Sequence, residues 1–272
     1  MASNTTAPEK GIEKLVGFEK FLHEFRNDEA VFSFSAMKQF MQTPRHFVDY
    51  KNKAFKPTQA MNKGTALHYA VFEPEKFETE FCFLDESKKP EPRLDYRNAK
   101  NREWKKEELE KLESTGKLIL KSSEGDLILK QREALWRDAE AKRIIADITE
   151  VESWLEWEMF DLKWHGRTDA KGGDFVADLK AVNPLNPHKI RWRGRDDRWV
   201  EQLLGYQKAT NTKNAYTFCV DEKCHVLVIR WSEAELKAAE TNIQHFVNEF
   251  WRCYLSNAWD QSHSFHHGIL EI

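Results

Sequence analysis

With 272 residues, 40% of them hydrophobic, the chain can bury a substantial core, which excludes a disordered protein for its bulk. Its 42 lysines and arginines against 45 aspartates and glutamates leave a formal net charge of -3, so affinity for nucleic acid cannot come from overall charge and needs local clustering. The cysteines, Cys82, Cys219, Cys224 and Cys253, form no C-x2-C pair, which argues against a zinc or iron-sulfur site, and no apolar run or charged-then-apolar leader marks a membrane span or signal; free thiols in a soluble cytoplasmic protein are expected.

In chain order, residues 1–30, opening MASNTTAPEKG, are expected to be a flexible arm, and residues 31–272 one domain with 85–150 as a helical elaboration. SFSAMKQFMQTPRHFVDY offers Ser33 or Ser35 as an N-cap and apolar Met37, Phe40 and Met41, which predicts a short helix stopped before Pro44. In MNKGTALHYAVFEPEKF, Ala66, Leu67, Ala70 and Val71 have helical spacing, His68 lies inside the helix and Pro74 marks its exit. REWKKEELEKLESTGK predicts a solvated helix ending at Gly116. EGDLILKQREALWRDAEAKRIIADI predicts a longer amphipathic helix with a stripe of Leu129, Ala134, Leu135, Ile144 and Ile145.

From residue 151 the period changes from helical to alternating. VESWLEWEMF, LKWHGRTDA and DFVADLKAV predict an antiparallel meander, with KGGD as a tight turn. RWVEQLLGYQKAT returns to helix, AYTFCVD and HVLVIRW are strands around EKC, and a long helix follows from Ser232, its N-cap, with Glu235 completing a capping box.

The stretch GRTDAKGGDFVADLKAVNP sets Asp169, Asp178 and Lys180 at D-x8-D-x-K spacing. In a strand Asp178 and Lys180 share a face while Leu179 points the other way. Two carboxylates at adjacent strand ends repel unless a cation lies between them, and hard oxygen ligands favour Mg2+ or Mn2+. Phosphodiester hydrolysis needs an activated water, charge relief at the transition state and support for the leaving oxygen, which metal ions and a nearby amine supply. Glu152, at the start of the first strand, is an outside candidate for the same acidic group, since Glu156 and Glu158 equally suit a solvated strand face. Between His188 and Arg198, Lys189, Arg191, Arg193, Arg195 and Arg198 outnumber Asp196 and Asp197, with Trp192 and Trp199 interleaved. This segment reads as a net-positive loop suited to a DNA channel, or as a solvated loop with its tryptophans in the core.

These motifs resemble the PD-(D/E)xK nuclease superfamily, with RTDA followed by ADLK as the core signature and aspartate where the second acid is more commonly glutamate. QLLGY, from Gln202 to Tyr206, resembles the Q-x3-Y motif of the RecB-like branch, and GTALH its upstream helix with a histidine metal ligand. SFSAMKQFMQTPRHFVDY, KGTALHYAVFEPEKF, GRTDA, ADLKAV and QLLGYQKA, in this order, narrow the likeness to phage and prophage recombination exonucleases of the RecE, or exodeoxyribonuclease VIII, type. The arginine-rich residues 181–199 depart from that pattern.

The resemblance implies an α/β restriction-endonuclease-like core, a mixed central sheet flanked by helices, with a helical N-terminal elaboration. It implies a metal set of His68, Asp169, Asp178 and Leu179, and a catalytic set of Asp169, Asp178, Lys180, Gln202 and Tyr206. The cofactor would be Mg2+, with Mn2+ as a substitute. The implied activity resects double-stranded DNA ends from 5' to 3' for recombination in a bacterial or phage-infected cell. A ring-shaped homo-oligomer and a single-strand annealing protein are the implied partners, with no membrane. Two alternatives stand beside it: a structure-specific or single-strand endonuclease on the same scaffold, and a non-catalytic DNA-binding assembly protein.

Overall fold

The computed structural model describes residues 16–54 and 56–260; the opening MASNTTAPEKG lies outside them. The arm expected over residues 1–30 does not extend to the helix α1 (Gly17–Arg26), whose Phe18 and Phe21 are buried. Apolar Phe18, Phe21, Leu22 and Phe25 recur at i, i+3, i+4 and i+7, so one face of α1 is aromatic and packs on Phe47, Phe250 and Trp259. After strand β1 (Val31–Phe32) comes α2 (Phe34–Phe40), capped by Ser33, whose hydroxyl accepts the Ala36 N–H. Pro44 stops that helix as expected, but it also starts α3 (Pro44–Asn52), because Thr43 caps it and proline needs no partner in a first helical turn.

Helix α4 (Gln59–Phe72) buries Ala66, Leu67, Ala70 and Val71, the stripe read from the sequence. Then follow α5 (Pro74–Glu80), β2 (Phe81–Leu84), α6 (Ala99–Glu113) and β3 (Leu118–Lys121), β2 and β3 forming a separate parallel pair. The expected long helix over residues 124–148 is instead two, α7 (Ser122–Arg137) and α8 (Ala139–Ala146). Asp138 ends the first and caps the second by accepting the Ala141 N–H, which resets the helical phase. Within α7, Ile128 shares the buried face with Leu135, whereas the expected Leu129 is exposed.

The meander is present as β4 (Ile148–Met159), β5 (Leu162–Gly172) and β6 (Phe175–Ala181). Phe160 and Asp161, both with positive φ (55° and 58°), turn β4 into β5. Helices α9 (Pro187–Asp196) and α10 (Trp199–Thr210) carry the chain to β7 (Asn214–Val220), which lies parallel to β6; β8 (Val226–Arg230) returns antiparallel, and α11 (Glu233–Ser256) closes the fold. Ser232 caps α11 by accepting the Glu235 N–H, but the Glu235 carboxylate turns to Arg191 and Arg195 instead of completing a capping box.

The result is a six-stranded mixed sheet, ordered β1-β5-β6-β7-β8 with β4 paired to β5, between two helical layers. Phe32, Trp164, Phe246 and Phe250 fill one side with α1, α2, α3, α10 and α11; Leu67, Leu135, Leu179 and Phe218 fill the other with α4, α5, α7 and α8. Each such fully buried side chain contributes roughly 1.5 to 3 kcal/mol. Alternation along β6 sends Ala177 and Leu179 to the second layer and leaves Asp178 and Lys180 on the opposite face.

Candidate active site

β4 runs along the whole of one edge of β5. The other edge of β5 is shared: β1 pairs with Lys163 and Trp164, and β6 with Lys171 and Ala170. Among the described residues no strand takes the edge between, so the sheet forks there. Asp169 stands at the fork, where β5 and β6 part, and its Oδ2 accepts the Leu179 N–H at 2.8 Å in place of a strand partner.

Four further side chains converge on this point. Lys180 Nζ lies 2.8 Å from each Asp178 oxygen, and it hydrogen-bonds Oδ1. From α4, His68 places Nε2 2.9 Å from the Leu179 carbonyl and Nδ1 3.4 Å from Asp169 Oδ1 and 3.6 Å from Glu152 Oε1. Glu152 has a left-handed backbone (φ 51°) within β4, a conformation that costs a non-glycine residue strain and that accompanies its carboxylate in the cluster. Its second oxygen is 2.7 Å from Arg167 Nε.

The site gathers three carboxylates, Glu152, Asp169 and Asp178, with His68, Arg167 and Lys180 beside them. His68, Glu152 and Asp169 each offer a ligand atom, all within 4.8 Å of one another. Asp178 is 2% exposed, and its buried Oδ2 makes no hydrogen bond, its partner being the Lys180 ammonium at 2.8 Å as an ion pair. Burial pushes the Asp169 carboxyl upward, and Asp178 adds to the push while His68 opposes it. Burial also opposes charge on His68, but Asp169, Glu152 and Asp178 outweigh it and raise its pKa to about 9. Lys180 behaves alike: burial lowers, Asp178 and Asp169 raise more, and the amine stays protonated. Carboxylate oxygens and an imidazole nitrogen within 4.8 Å of one another, with the Asp169 carboxyl held high by burial, are a donor set that a divalent cation fits.

The structure thus brings together His68, Asp169, Asp178, Leu179 and Lys180, with differences in detail. The tight cluster contains Glu152, an outside candidate in the sequence, whereas Asp178 sits against Lys180. The Leu179 carbonyl is already taken by His68. Nothing in the strand alternation marks Glu152 over Glu156, because its placement depends on the irregular backbone. Tyr206 is 2% exposed, its hydroxyl accepts from Gln202 Nε2 at 2.7 Å, and its ring fills the space over Gly166. Gln202, one turn earlier, is the more accessible of the two.

The arginine-rich segment is a helix, α9, and not the loop expected. Asn186 caps it, Pro187 takes its first turn, and Ile190 and Gly194 are buried. Its arginines are matched with carboxylates: Arg191 and Arg195 with Glu235, Arg193 with Asp197, and Arg198 with the buried Glu201. Trp192 is 63% exposed, whereas Trp199 is buried between Lys180 and Arg193, with each cation about 6 Å from its ring. That contact joins α9 to the cluster.

Residues 33–217 match the model of a family described as a PDDEXK-like domain of unknown function (DUF3799). The chain belongs to this family. No curated protein matches it. Among solved structures, this PDDEXK-like chain is similar to a candidate exonuclease from Eubacterium rectale at 15% identity and a TM-score of 0.54, with 95% of each chain covered. An alkaline exonuclease from Laribacter hongkongensis aligns at 16% identity and a TM-score of 0.31, over 68% of this chain and 96% of the other. The first likeness extends the shared fold across nearly the whole chain. The mixed sheet flanked by helices is the restriction-endonuclease-like core expected of a PDDEXK domain.

Proposed function

We propose that this PDDEXK-like domain is a Mg2+-dependent DNA exonuclease, which degrades double-stranded ends from 5' to 3' to leave single strands for recombination. The observation that carries the reading is the convergence of Asp169, Asp178, Lys180, His68 and Glu152 at the fork of the sheet. His68, Glu152, Asp169 and Asp178 would hold the divalent cation, which supplies an acidified water and charge relief at the phosphorus when bound. The chain's own groups do the rest. Asp178 anchors the Lys180 amine, which lies beside the carboxylates and supports the negative charge that grows on the phosphate oxygens. Asp178 and Asp169 favour the charged form of Lys180, which suits it to the role of a cation beside the phosphate. His68 donates to the Leu179 carbonyl and so fixes the end of α4 against β6.

Arg191, Arg193 and Arg195 on α9 are proposed to meet DNA phosphates by exchanging their carboxylate partners, with exposed Trp192 on the same helix; Arg198, at the start of α10, is tied to buried Glu201. A ring of identical subunits and an annealing protein complete the proposal by analogy with the recombination exonucleases whose motifs the chain resembles.

The test is degradation of end-labelled linear duplex and of covalently closed circles, with and without Mg2+. Loss of the linear form alone, and only with the ion, is expected. Nicking of the circles would make the protein an endonuclease, and inertness toward both would overturn the nuclease reading.

A further inference from the structure

The fork that holds the metal cluster also opens a cleft of about 310 Å³, lined by Tyr50, Trp154, His165, Arg167, Gln202 and Tyr206 among others. Its position follows from the strand register. Arg167 and His165 continue the face of β5 that carries Asp169, and Trp154 lies directly opposite Arg167 on β4. The same guanidinium lies 2.7 Å from Glu152, so cleft and cluster are joined through one side chain.

The indole in the cleft differs from the other tryptophans of β4 and β5. Trp157 and Trp164, on these same two strands, are packed in the core, and Trp164 is fully buried. Trp154 is 59% exposed and Tyr50 is 39% exposed. Trp154 is held in place nonetheless: its Nε1 donates to Glu156 Oε1 at 3.0 Å, and the His165 ring meets it edge-on at 5.0 Å. The indole is thus fixed at the surface with more than half of its area open to solvent. Beside it stand Gln202 and Arg167, groups that hydrogen-bond a heterocycle's rim or a nearby phosphate.

We infer that this cleft is a nucleobase subsite, in which Trp154 and Tyr50 stack the unpaired terminal base of the DNA strand whose phosphodiester lies at the metal cluster. For the identity of its ligand the inference rests on the nuclease reading above. A flat, planar heterocycle suits an aromatic wall with polar groups at its rim, and stacking of this kind tolerates any base, as an enzyme consuming arbitrary sequence requires. The subsite would hold the end frayed, since a base in the cleft is unpaired from its partner.

The test is equilibrium binding, without divalent ion, of linear duplexes whose last nucleotide on the 5' or the 3' strand is either natural or abasic. Wild-type protein is expected to prefer the natural end by roughly tenfold on one of the two strands, from the ordinary strength of base–aromatic stacking. Trp154→Ala should bring that ratio close to one, and Trp154→Phe should restore most of it. Because each ratio is taken within one protein, partial loss of fold does not imitate the effect. A wild-type ratio of one on both strands, or a Trp154→Ala ratio equal to wild type, overturns the subsite. The cleavage assay with Mg2+ reads the nuclease assignment separately, so inert protein with an intact ratio would sink that assignment and leave the base subsite standing.

Discussion

Asp178 is the residue on which the chemistry turns, because it is buried beside Asp169 and holds the Lys180 amine 2.8 Å from both of its oxygens. Asp178→Ala should lower Mg2+-dependent hydrolysis on the order of 1000-fold, with the circular-dichroism spectrum and metal-free DNA binding retained. Turnover at the wild-type rate would remove Asp178 from the site. A second residue shows electrostatics at work away from the cluster. Lys51 sits with its amine 4.2 Å from the Phe21 ring, and burial, only partly offset by Glu24, lowers its pKa from 10.5 to about 8. Between those values the unfolded chain binds the proton and the folded chain does not, so stability should rise as pH climbs from about 8 to 10.5. Lys51→Met should stabilise the protein at pH 7 by about 1 to 2 kcal/mol and remove this rise. Thermal melts of both proteins across that window check it; parallel curves would mean that Lys51 carries no such penalty.

At the scale of elements, β5 organises the site because β1 and β6 occupy only its two ends along one edge. Helix α10 covers the gap. A Cβ at Gly166 would come within 2.5 Å of Tyr206 Cε1 and 3.0 Å of its hydroxyl, so the glycine is what lets α10 lie this close to β5. Gly166→Ala should force the ring aside, cost roughly 1 to 3 kcal/mol and lower the Tm by several degrees. Cleavage should fall with it, since Gln202 is hydrogen-bonded to the displaced hydroxyl. An alanine variant that melts with the wild type would show that the helix has room to shift.

Across the whole molecule, a chain with formal net charge -3 can hold DNA only where positive groups are concentrated, and α9 is the densest such element in the sequence. Glu235 neutralises two of its arginines and also fastens α9 to α11. Replacing Arg191, Arg193 and Arg195 together by glutamine should therefore have two effects. The logarithmic salt dependence of DNA binding should flatten by roughly 0.7 to 0.9 for each phosphate that is no longer neutralised. The Tm should fall as well, because the Glu235 carboxylate, largely enclosed, is left without its charged donors. A lower Tm with an unaltered salt slope would make α9 a structural clamp and move the DNA path elsewhere.

The meander, the pairing of Asp178 and Lys180 on one face of β6, and the helices bearing His68 and the Gln202–Tyr206 pair were all legible in the amino-acid order alone. Strand alternation, helical period and short-range spacing are local properties, and each is written in a run of a few residues. The family was legible too, since the ordered motifs lie within the residues that match the PDDEXK-like model. Local pattern missed α1, although its aromatic spacing was present, because a polar opening stretch outweighed it. It missed the break at Asp138, where one side chain chose between continuing a helix and capping the next. Glu152 joins the metal cluster through a left-handed residue that period-two reasoning does not anticipate, so its place had to come from the folded chain. The state of the arginines is also a product of packing, since Glu235 is 40 residues from Arg195 in sequence and reaches it solely because α11 packs beside α9. The fork at Asp169 belongs to the same class: two strands from distant parts of the chain, β1 and β6, must share one edge of β5 before the gap between them exists.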